Sequence, residues 1–116
     1  MTFHVIDNPE FHKFRKNAGF KNAEFRLLAG LFSRAASVKA LYDIGVDVDF
    51  DEGTCTFTYY RTNNYKPYLQ FVIRHVGPHT AMYEVFLEEK GRIAKSGLFA
   101  RAFERLEEEV QELMGG

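Results

Sequence analysis

The chain has 116 residues, 46% hydrophobic and 27% charged, which excludes wholesale disorder and leaves room for one ordinary domain spanning 1–116. Fifteen Lys and Arg stand against sixteen Asp and Glu, a net charge of −1, so no global field draws the protein to nucleic acid or an anionic membrane. Cys55 is the only cysteine, which rules out an intramolecular disulfide. With few apolar residues before Asp7 and none of the pattern of a secretory signal, the expectation is a cytoplasmic protein.

A first helix is predicted after Asn8 and Pro9, which suit the cap and first helical position, and before Gly19, which suits a left-handed stop. Phe11, Phe14 and Ala18 share one face of it. A second helical stretch is predicted over 22–44, with Phe25, Leu28, Phe32 and Ala35 as one stripe and Leu27, Leu31, Val38, Leu41 and Tyr42 widening it. Whether it is one bent helix or two, with Ser37 capping the last part, is open; Gly45 ends it in either case.

From Val46 the apolar period changes from about 3.6 to 2. Val46, Val48 and Phe50 alternate with Asp47, Asp49 and Asp51, and 51–53 make a turn. A second strand over 54–61 puts Cys55, Phe57 and Tyr59 on one face and Thr54, Thr56, Thr58 and Tyr60 on the other. A third is predicted over 68–76, broken by Gly77-Pro78, a fourth over 80–88, and a short fifth over 92–95. Short connections make these antiparallel neighbours in a meander. Leu98, Phe99, Ala102, Phe103, Leu106, Val110 and Leu113 then recur at helical spacing, with glutamates outside. The class is α+β: N-terminal helices, an antiparallel meander sheet of four to five strands, and a C-terminal amphipathic helix packed on it.

No catalytic or metal motif is complete, and neither a cofactor nor a metal is expected. The run from Asp47 to Gly53 resembles a calcium loop, but its sixth position is Glu52 and its twelfth Thr58, where glycine and glutamate are needed. His75 and His79 flank Gly77-Pro78, so a turn, not a metal-binding helix, is expected there. Cys55 lies mid-strand beside Phe57, the place of a small buried hydrophobe. Residues 91–97 place Lys95, Ser96 and Gly97 before a helix, which suits an anion or simply a capped helix start.

The segment 59–68 is the most informative. Four of the six tyrosines (Tyr59, Tyr60, Tyr65 and Tyr68) lie there with Arg61, Asn63 and Lys66. Tyrosine and arginine bury large area while keeping a polar end, as binding hot spots require. The bland alternative is a hairpin connection with tyrosines lying over the sheet. The expected function is a small regulatory domain that binds a protein partner or itself, with a homodimer through the sheet or its edge. Strands three and four are apolar in both registers, which calls for cover on both faces: the C-terminal helix, the N-terminal helices on the other face, or the second subunit expected here. A second reading is a nucleic-acid-binding or RNA-cleaving module in which Arg61, Lys66 and Arg74 hold phosphate and His75 or His79 moves a proton. A third is a ligand pocket lined by some of the twelve phenylalanines.

Overall fold

The computed structural model describes residues 21–115, so the helix predicted around Phe11 and Phe14 lies outside the described residues. The described chain runs α1 (Asn22–Ser37), β1 (Asp43–Asp49), β2 (Thr54–Tyr60), β3 (Pro67–Gly77), β4 (Thr80–Leu87), β5 (Gly91–Ser96) and α2 (Phe99–Leu113). The strands form one antiparallel sheet in the order β1-β2-β3-β4-β5, the expected meander with five members.

The helical stretch over 22–44 is shorter than its apolar spacing implies. At its start the Lys21 amide donates to the Glu24 carboxylate at 3.4 Å, satisfying one of the donors a helix leaves open. At its end the Ala40 amide reaches back to the Ala35 carbonyl (2.9 Å) and the Lys39 amide to Ala36 (3.0 Å), a Schellman turn. That turn puts Lys39 at φ 62°, a position glycine normally takes. The chain then enters the sheet at once, the Tyr42 amide donating to the Tyr60 carbonyl at 2.7 Å. Gly45 therefore does not end a helix. It sits inside β1, where a Cβ would meet the Tyr60 ring at 3.5 Å, an ordinary van der Waals contact, so a strand position and not a helix stop is what it supplies.

Alternation decides what lies inside. Val46, Phe57, Phe71, Val85 and Ala94 form one cross-strand row, and Ile44, Tyr59, Leu69 and Leu87 the next. Both rows join the core beneath the helices. α1 contributes Phe25, Leu28, Leu31, Phe32 and Ala35, and α2 contributes Ala102, Phe103, Leu106 and Val110. Each large apolar side chain among them, fully buried, adds about 1.5–3 kcal/mol. The rings sort into two groups: Phe25 meets Phe57 edge-on at 5.7 Å under α1, and Phe71, Tyr83, Phe99 and Phe103 interlock at 5.4–6.1 Å under α2. Arg34 bridges the helices to Glu107 at 3.6 Å.

Both described helices lie on the same side of the sheet. The other side carries Asp43, Asp47 and Asp49 from β1, Thr54, Thr56, Thr58 and Tyr60 from β2, and Gln70, Val72 and Arg74 from β3. Met82, Glu84 and Phe86 of β4 and Arg92 and Lys95 of β5 complete it. No described element covers this face, and no described helix is long and apolar enough to cross a membrane.

Candidate functional site

The 59–68 segment does not form one surface. Tyr59 points into the core, 0% exposed, and its hydroxyl donates to the Leu28 carbonyl of α1 at 2.7 Å. Burial pushes its phenol well above the ordinary value. Tyr59 is therefore a structural residue and not part of a binding surface. The parity that placed it beside Cys55 and Phe57 has the physical reason: those positions face the helices.

The loop after β2 is set by its own side chains. The Thr62 hydroxyl accepts from the Asn64 amide (3.5 Å), and the Asn64 side-chain oxygen accepts from the Lys66 amide (2.9 Å). Between them Tyr65 is held at φ 56°, a left-handed conformation unusual for an aromatic residue. Its ring meets Tyr60 at 5.1 Å and Tyr42 at 6.0 Å, both edge-on. Its hydroxyl donates to Asp43 Oδ2 at 2.9 Å, while Asp43 Oδ1 accepts from the Ile44 amide at 2.8 Å. That hydrogen bond, with the charge of Asp43, raises the Tyr65 phenol above its usual range. Tyr42 remains 46% exposed and Tyr65 53%, so a phenol corner stands at the end of the β1–β2 edge. Sequence reading missed Tyr42 and Asp43, since Tyr42 continues the helical spacing of Leu41 and Val38.

The strand irregularity between Tyr59 and Tyr60 turns Tyr68 away from this corner. Tyr68 packs against the core, close enough to Glu109 and Glu112 of α2 to feel their charge, and the Arg61 guanidinium lies 5.0 Å from its ring centre. Lys66 pairs with Glu88 at 3.3 Å. Arg61, Asn64, Lys66, Tyr68 and Glu88 border a hollow of 280 Å³, and Asn63 is exposed in the same loop.

The residues of the RNA-cleaving reading are not brought together. Arg74 is bound to Glu84 at 3.0 Å on the uncovered face. His75 and His79 sit at the β3–β4 turn, beside a hollow of 320 Å³ with Lys21 and Tyr83. The length of extended β3 separates Lys66 from His75, about 30 Å. The other motifs fall into structure. Residues 91–96 are strand, not a phosphate loop, and the Ser96 hydroxyl accepts from the Leu98 amide at 3.0 Å just ahead of α2. Asp49 Oδ1 accepts from the Glu52 amide at 3.0 Å, fixing the β1–β2 turn. Cys55 is buried, its thiol pushed up to about 12 by burial and then by Asp47, far from a reactive thiolate. Among the described residues no three His, Cys, Asp or Glu side chains converge as metal ligands would. Phe57, Phe71, Phe99 and Phe103 pack on other rings within the core instead of lining a ligand pocket.

Comparison with protein-family models, with curated proteins and with solved structures finds no match.

Proposed function

We infer that the chain is a binding domain that acts by protein–protein recognition at the phenol corner of Tyr42, Tyr60 and Tyr65. The observation that carries this reading is the fixed placement of two half-exposed rings: aromatic contacts and the Asp43 hydrogen bond hold Tyr65 in a conformation that costs backbone energy. Tyrosines so held offer large contact area with little entropy left to lose on binding. Asp43 beside the ring faces favours a partner segment presenting arginine or lysine among apolar groups, since a cation stacks on phenol faces and pairs with carboxylate. Arg61, Lys66 and Tyr68 form the rim on the other side of the loop, where Glu88 pairs with Lys66 and Arg61 lies over the Tyr68 ring. The free, buried Cys55 fits a reducing compartment, and the domain is taken to act in the cytoplasm.

A photo-crosslinking amino acid at position 65 tests the reading, with the same group at Glu104 on the outer face of α2 as control. Discrete adducts with another protein at 65 and none at 104 are expected. Equal or absent crosslinking at both positions would overturn it. The nucleic-acid alternative is tested by titrating a mixed oligonucleotide at low salt, where no binding is expected.

A further inference from the structure

We propose that the uncovered sheet face is closed by a second copy of this chain, packed face to face with β1 of one copy over β5 of the other. This goes beyond the corner reading and rests on a row of residues outside the corner, although Asp43 and Tyr60 border both. The register aligns Asp47, Thr56, Val72, Glu84 and Lys95 in one row across all five strands. Turning a second sheet over about an axis parallel to β3 reverses that row. Asp47 then faces Lys95, Val72 faces Val72 on the axis, and Thr56 faces Glu84. The row is self-complementary, which an isologous contact demands.

The rest of the face agrees. Asp47 and Lys95 are exposed, and neither has an ion-pair partner among the described residues. Glu84, only 3% exposed, lies between Arg74 (3.0 Å) and Arg92 (2.9 Å), so its single carboxylate offsets one of the two guanidinium charges within the sheet. In all, four carboxylates (Asp43, Asp47, Asp49, Glu84) stand against three cations (Arg74, Arg92, Lys95), acidic along one edge and basic along the other. Met82, Phe86 and the methyls of Thr54 and Thr56, all half-buried, supply apolar area between these edges, while Val72, only 7% exposed, adds little. Five strands about 4.8 Å apart and about 24 Å long present roughly 550 Å² per copy, near 1,100 Å² in total, above the ~1,000 Å² a specific interface needs. Sheets so packed lie about 10 Å apart with strands within about 30° of each other.

Sedimentation of the full chain from low to several hundred micromolar tests this. The wild type is expected to dimerise. Asp47→Lys and Lys95→Glu, both at exposed positions, should each weaken the dimer at least about ten-fold, by setting like charges opposite each other. Mixed in equal amounts the two variants should pair again. The lysine introduced in the first chain then meets the glutamate introduced in the second, while Lys95 of the first still meets Asp47 of the second. Tyr65→Ser should leave the mass unchanged, which keeps this proposal separable from the corner reading. A wild type monomeric throughout, as expected if other chain or another protein covers the face, would overturn the proposal. So would a ladder of larger masses, the mark of edge-to-edge pairing, or a variant mixture that stays monomeric.

Discussion

Replacing Tyr59 by phenylalanine separates the tyrosine that builds the fold from those that face outward. The substitution keeps the ring, 0% exposed and 5.4 Å from Phe57, and removes only the hydroxyl that donates to Leu28 at 2.7 Å. The Leu28 carbonyl lies mid-helix and retains the Phe32 amide of the helical ladder, so no acceptor is orphaned. The loss is therefore that of one hydrogen bond, about 1 kcal/mol, or about 4 °C in melting temperature for a chain of this size. Urea or thermal unfolding by circular dichroism reads it directly. A second signature comes from pH. Burial raises the folded phenol above the unfolded value, about 10, so its contribution is complete below that pH and is lost as pH rises towards the folded value. The gap between wild type and Tyr59→Phe should thus narrow above about pH 10. A variant as stable as wild type at neutral pH, or a gap that widens in alkali, would refute the assignment.

Lys39→Gly should stabilise the protein by about 0.5–1 kcal/mol, since it relieves a left-handed backbone at φ 62°; a melting curve shifted downwards would contradict the Schellman turn. Burial alone would raise the Glu84 carboxyl, but hydrogen bonds from Arg92 and Arg74 and their charges hold it below its ordinary range. Its contribution is present above the unfolded value, about 4.3, and lost as pH falls through the folded one. Glu84→Gln should accordingly cost about 1–3 kcal/mol at neutral pH and progressively less in acid, read from urea midpoints across pH. An equal cost at every pH would sink that ion-pair assignment.

The change of apolar period is enough to place the sheet, its order and α2, because burial on one face writes itself into the side-chain alternation of every strand. The limits of α1 are not legible. Lys39 carries none of the glycine or asparagine signal of a helix stop, and the 3.6 spacing runs on through Leu41 and Tyr42. Gly45 misleads for a related reason: it lies inside β1 and pairs with Thr58 of β2, a tertiary relation with no local mark. For the site, closeness along the chain is a poor guide to closeness in space. Tyr59 and Tyr60 are neighbours whose side chains leave opposite faces, and the strand irregularity beside them sends Tyr68 to a third environment. Asp43 enters only with the coordinates, because its bond to Tyr65 spans 22 residues.

The most direct test of the recognition claim compares proteins captured by wild type, by Tyr42→Ser with Tyr65→Ser, and by Tyr59→Phe, quantified against one another by mass spectrometry. A set of proteins retained by wild type and Tyr59→Phe but lost from the double serine variant is the expected result. Identical sets from all three would contradict the assignment of the corner as the surface through which this domain works.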